Sequence, residues 1–151
     1  MRMHTTLILA SLAAALAFAP QQVTAVGDET PPISADHAAG KKAIEAKDWS
    51  AAIKALTAAA QRDSNSADVH NLLGYAYRNT GQIDAAFKHY QRALQIDPRH
   101  LGAHEYIGEA YLIANNPAKA EEHLASLKRF CPSLCDEYDD LRKKIAAHRA
   151  R

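Results

Sequence analysis

The sequence predicts an all-α protein, a solenoid of three helix-turn-helix units closed by a C-terminal capping helix. Three observations carry that prediction. Residues of matched type recur every 34 positions from about Ile33 onward. Within each recurrence the apolar residues follow helical spacing. Alanine is abundant, whereas glycine and proline number only six each, a balance that favours helix.

The length of 151 residues suits one domain. Charged residues make up 23% and hydrophobic ones 48%, as in an ordinary folded soluble protein. Lysine plus arginine is 18 against 17 acids, a formal net charge of +1. That balance lacks the basic stripe a nucleic-acid partner requires.

The first residues read as a separate segment. Arg2 gives a positive start, Leu7 to Ala19 is an uncharged apolar run, and Val23-Thr24-Ala25 offers small residues for cleavage. This is the layout of a secretory signal. A cut after Ala19 would place Pro20 next to it, so the expected cut follows Ala25 and residues 1–25 are removed. Gln21 and Gln22 end the apolar run short of the roughly 20 residues a membrane span needs. No stable membrane anchor is expected after cleavage, and the expected location is the bacterial periplasm. Removing residues 1–25 takes away Arg2 and no acid, leaving 17 basic and 17 acidic groups. Residues 26–33 hold Gly27, Asp28, Glu29, Pro31 and Pro32 and read as an extended leader to a domain spanning 34–148.

Five registers define the repeats, placed at about 33–66, 67–100 and 101–134. They are Gly40, Gly74 and Gly108; Ala52, Ala86 and Ala120; Leu56, Tyr90 and Leu124; Ala59, Ala93 and Leu127; and Asp63, Asp97 and Cys131. A period between 20 and 50 residues means stacked supersecondary units. In the second copy, Leu73, Ala76 and Tyr77, then Ile83, Ala86, Phe87, Tyr90, Ala93 and Leu94, outline two amphipathic helices. Gly81 can take the left-handed conformation that ends the first. Asp97-Pro98 ends the second, because a residue before proline avoids the α region. Gly74 and Gly108, with Ala86 and Ala120, are expected to let the paired helices of a unit approach closely. After the third copy, Leu134, Tyr138, Leu141 and Ile145 form one apolar stripe, with acids early and Arg142, Lys143 and Lys144 late, as the helix dipole prefers. This is the predicted capping helix, at about 133–148.

Leu73-Gly74-x-x-Tyr77, Gly81, Ala86, Tyr90, Ala93 and Pro98 resemble the tetratricopeptide repeat signature. The third copy resembles it through Ile107-Gly108, Tyr111, Ala120, Leu124 and Pro132, and departs from it at Asn115 and Pro117. The first keeps Gly40, Trp49, Ala52, Leu56 and Ala59, but has Ala43 for the tyrosine and Ser64 for the proline. The resemblance implies a right-handed stack of seven helices and a function in binding another protein or peptide. It also implies that the concave face is lined by the first helix of each pair. Those positions are His37, Lys41 and Ile44; Asn71, Tyr75, Arg78 and Asn79; and Glu105, Glu109, Leu112 and Ile113. Tyr75 is the expected anchor, because aromatic residues dominate binding hot spots. Members that clamp a C-terminal carboxylate use basic and amide groups, and Glu105 and Glu109 make that clamp unexpected here.

Cys131 and Cys135 are the only cysteines and read first as a disulfide tethering the cap, as an exported chain favours. The alternative from another functional class is a small copper, zinc or thiol-redox carrier using Cys131 and Cys135 with His123. His100 and His104 are spaced i, i+4, although His100 falls at a helix start beside Asp97-Pro98. His70 and His104 share one repeat position. No H-E-x-x-H, nucleophile elbow or phosphate-binding glycine loop is present, so no enzyme and no cofactor are expected. Trp49 and the tyrosines fall at repeat positions, where core packing accounts for them.

Overall fold

A computed structural model describes residues 34–131, 133 and 135–151. The expected signal and leader, together with Pro132 and Leu134, lie outside the described residues. Among the described residues there are seven helices, in order α1 Ala35–Glu45, α2 Trp49–Arg62, α3 Ala67–Asn79, α4 Ile83–Ile96, α5 Leu101–Ile113, α6 Pro117–Phe130 and α7 Asp136–Arg149. The protein is an all-α helical repeat solenoid, and no strand occurs among the described residues. None of the described helices is long and apolar enough to cross a membrane.

Local chemistry sets the helix ends. The side chains of Ser34, Asp48, Ser66 and Asn116 each accept a backbone N–H three residues on, capping α1, α2, α3 and α6. Pro117 opens α6, where its missing N–H costs no helical bond. The turn inside each unit needs one left-handed residue. That residue is Lys47, Gly81 and Asn115 in turn, with φ of 57°, 77° and 55°. Gly81 and Asn115 suit the turn, as the sequence indicates. Lys47 carries a Cβ without the local hydrogen bonding of asparagine, so the first unit makes the same turn at greater cost.

Each helix packs on its neighbours in sequence, the first helices of successive units also touch, and α7 lies against both α5 and α6. Leu56, Leu73, Tyr90, Ile107, Leu127 and Leu141 are the largest fully buried side chains. Leu56, Tyr90 and Leu141 enter glycine notches in the first helices. A Cβ on Gly40 would lie 2.5 Å from Leu56, and one on Gly74 would lie 2.5 Å from the Tyr90 ring. In both cases the intruding side chain belongs to the paired helix, as expected.

The third unit differs. A Cβ on Gly108 would lie 2.6 Å from Leu141 of α7, not against α6. Leu124, which holds the register of Leu56 and Tyr90, is only half-buried. Leu127 is fully buried where the first two units have Ala59 and Ala93, so it fills a layer those alanines leave slim. The notch at Gly108 then receives the cap. Leu141 and Ile145 are both buried, worth about 1.5–3 kcal/mol each.

The capping helix begins at Asp136, later than the stripe suggests, because Cys135 is its extended N-cap residue. Cys131 is the C-cap of α6, and the two sulfurs are bonded, with Cα atoms 5.9 Å apart. The bridge closes the α6–α7 turn. A loop this short contributes at most about 2 kcal/mol through unfolded-state entropy.

Gly108→Ala is expected to lower stability by about 1–3 kcal/mol through overpacking against Leu141. In a Leu141→Ala background the same change should cost close to nothing, because the two residues share one contact. Denaturant titrations of the four proteins in this cycle check the coupling, and simple additivity would contradict the notch.

Candidate partner-binding groove and paired histidines

The expected concave positions fall on α1, α3 and α5 in repeating registers, with His37, Asn71 and Glu105 equivalent and Lys41, Tyr75 and Glu109 equivalent. The structure divides them by exposure. Lys41, Asn79 and Ile113 are exposed, whereas Ile44, Tyr75, Arg78 and Leu112 are half-buried. His37, Asn71, Glu105 and Glu109 are buried. Their positions are covered by neighbouring elements. The Asn71 amide nitrogen, for example, would lie 3.2 Å from a Cβ on Gly102 of α5.

The acidic end of the face is consumed internally. Glu109 is hydrogen-bonded to Arg78 of α3 through one oxygen and to Lys144 of α7 through the other. Lys144 also stands 3.7 Å from Glu105. Burial pushes the Glu105 carboxyl up to about 7, with Lys144 opposing that rise and Asp140 and Glu137 adding to it. Lys144 therefore serves two buried acids, and Glu105 has the weaker share.

Besides the exposed Lys41 and Asn79, aromatic and apolar groups remain accessible on these helices. Tyr75 packs edge-on to Trp49 at 5.8 Å and beside Tyr106 at 4.9 Å between ring centroids. The Arg78 guanidinium lies 5.3 Å from the Tyr75 centroid and 5.4 Å from that of Tyr106. Ile113 is 59% exposed and lines a depression of 240 Å³ together with Leu112, Ala147, Arg78, Glu109 and Lys144. His148 and Arg151 stand on its rim, contributed by the C-terminal end of the chain.

The histidines form an arrangement that the sequence reading did not assemble. His100 is the N-cap residue of α5. Its Nδ1 accepts the Ala103 N–H at 3.1 Å, so its Nε2 donates to Asp68 at 2.9 Å. That bond holds the Asp68 carboxyl below its ordinary value. His100 and His104 thus do not share a face. His104 instead meets His123, with Nδ1 atoms 2.9 Å apart, and His70 meets His89 in the same way at 3.1 Å. The signal was available, since His89 and His123 are 34 residues apart, as are His70 and His104. Tyr77 stacks on His89 and Tyr111 on His123, at 5.3 and 5.7 Å. Burial lowers the pKa of all four rings, that of His123 to about 4.

His123 therefore faces His104, while Cys131 and Cys135 are bonded to each other. The structure does not bring Cys131, Cys135 and His123 together as a metal or redox site. Among the described residues, no group of three or more His, Cys, Asp or Glu could hold a metal ion.

Glu105 generates a prediction with a definite sign. Its folded pKa of about 7 exceeds the ordinary carboxyl value of 4.5, so the folded state binds the extra proton between those limits. Stability associated with this group is present below about pH 4.5 and lost as pH rises toward 7. Glu105→Gln should gain on the parent protein across that window, by on the order of 2 kcal/mol at pH 7.5. Denaturation midpoints at pH 4.5 and 7.5 check this, and an equal difference at both would contradict it.

Comparison with known proteins agrees with this architecture. The family model for the tetratricopeptide repeat matches residues 67–100. The human protein O-mannosyl-transferase TMTC3 is 28% identical over 87 residues, covering 58% of this chain and only 10% of the relative's own length. The TPR2B domain of yeast Sti1, solved in complex with pHsp70, superposes with a TM-score of 0.68 at 22% identity. The match covers 74% of this chain and 94% of that one. PcrH, solved with the chaperone-binding region of PopD, gives a TM-score of 0.68 at 20% identity, covering 77% and 90%. The chain thus carries a tetratricopeptide repeat at residues 67–100 and shares the fold of solved tetratricopeptide-repeat domains.

Proposed function

We propose that the protein is a non-catalytic adaptor of the cell envelope that binds a segment of a partner protein in its concave groove. The observation that carries this reading is the apolar strip of Tyr75, Leu112 and Ile113 along the first helices. It is left open while Glu105 and Glu109 are turned inward. Tyr75 is held by Trp49, Tyr106 and Arg78 before any partner arrives, so little side-chain entropy remains to be lost on binding. Sti1 and PcrH, which share the fold, are solved with bound partner segments. Two exposed cations, Lys41 on α1 and Arg151 lining the depression beside Ile113, suit a segment that carries acidic residues beside an apolar anchor. An exported location fits the N-terminal apolar run and the Cys131–Cys135 bridge, which persists in oxidising compartments.

The test uses peptides selected from a display library on the purified protein. Tyr75→Ala and Ile113→Glu should each weaken the selected peptides by roughly 30-fold, corresponding to a hot-spot loss of about 2 kcal/mol. Lys88→Glu, an exposed change on α4, should leave affinity unchanged. The reverse pattern would overturn the groove assignment. Arg78 is a poor probe, because its removal takes one of two cations from the buried Glu109. Intact mass from the envelope fraction should begin at Val26, and a full-length chain confined to the cytosol would overturn the export reading.

A further inference from the structure

The paired histidines are not used by the groove, yet they are built twice. In each pair the first imidazole has its outer nitrogen engaged. His70 Nε2 lies 3.3 Å from the Ser64 carbonyl oxygen, and His104 Nε2 lies 3.1 Å from that of Pro98. A carbonyl oxygen only accepts, so each Nε2 carries the proton and each Nδ1 presents a lone pair inward. This carbonyl contact is the outer-shell device that orients metal-ligating histidines. The partner Nδ1 atoms of His89 and His123 point at those lone pairs from 3.1 and 2.9 Å.

We infer that each pair, His70 with His89 and His104 with His123, is a two-coordinate site for a monovalent d10 cation, copper(I) being the physiological candidate. The ligand count selects the ion. Each pair offers two converging nitrogens, and none of the four rings is hydrogen-bonded to a carboxylate among the described residues. Zinc in a structural site takes four ligands. A soft monovalent ion is satisfied by two nitrogens in line, and an aromatic wall disfavours harder, strongly hydrated cations. Tyr77 and Tyr111 supply that wall, stacked on the second histidine of each pair, and Phe130 lies 5.6 Å from the His104 ring.

Binding balances without net proton release. The neutral pair holds one proton on the first ring's Nε2 and one on the second ring's Nδ1. On binding, the second proton moves to that ring's Nε2, and both Nδ1 lone pairs bond the ion. Two metal–nitrogen bonds of about 2 Å in line span about 4 Å, so the rings must part by roughly 1 Å. The first unit serves as an internal control. Asp36 and Ala55 stand at its equivalent positions, so the site is restricted to the second and third units.

Silver(I), an air-stable d10 analogue, is the probe, titrated into the disulfide-intact protein and counted by native mass spectrometry. Two silver ions per chain are expected, falling to one in His89→Gln or in His123→Gln and to none in the double variant. Nitrogen-15 spectra of the unaltered protein give a second reading that does not depend on the variants folding. Silver should shift the ring signals of His70, His89, His104 and His123 and leave those of His37, His100 and His148 in place. Anaerobic copper(I) should reproduce the stoichiometry. Absence of binding would make the pairs purely structural. Undiminished binding in a folded double variant, or shifts confined to the other histidines, would place the ion elsewhere, and any of these results overturns the inference.

Discussion

Glu109 is buried, and a buried carboxylate costs several kcal/mol unless a cation reaches it in good geometry. Here Arg78 reaches it from the second unit and Lys144 from the cap. One side chain of the third unit thus ties together α3, α5 and α7. The same arrangement determines the character of the concave face. With Glu109 bridged and Glu105 buried beside Lys144, the acids are withdrawn and the aromatic and aliphatic groups are left forward. The character of the proposed binding face and the stability of the last unit are both consequences of one ion cluster.

The cluster requires α7 to sit deep on α5, and the backbone permits this through Gly108. Leu141 enters the notch there, and Tyr138 packs beside it with Tyr111, Leu112 and Leu124 around the same core. The disulfide fixes the turn that delivers α7 to this place. The α7 helix covers the apolar face of the third unit while contributing Lys144, Ala147 and His148 to the groove edge.

Helix count, turn positions and the two-helix unit were legible in the sequence because they are local. Apolar spacing, capping side chains and a 34-residue period all act within a short stretch of chain. Gly108 was legible as a notch, but its occupant was not, since Leu127 in place of alanine alters a layer that no single helix reveals. The burial of His37, Asn71 and Glu105 was hidden for a similar reason. A polar residue on a first helix faces solvent or the next element according to how closely that element packs, which is a property of the stack. The histidine pairs lay between these cases. Their 34-residue recurrence was visible, whereas the meeting of α3 with α4 and α5 with α6 at those rings required the structure. Lys47 was passed over because nothing in its side chain announces a left-handed turn.

The central claim is that partners enter at the strip running from Tyr75 to Ile113. A photo-crosslinking side chain placed at Ile113, with a matched one at Lys88 on α4, tests this in the organism that makes the protein. The account predicts that illumination traps one discrete protein adduct from position 113, that the Tyr75→Ala change abolishes it, and that position 88 yields none. Adducts formed from position 88 and absent from 113 would contradict the account and move recognition to the second-helix face.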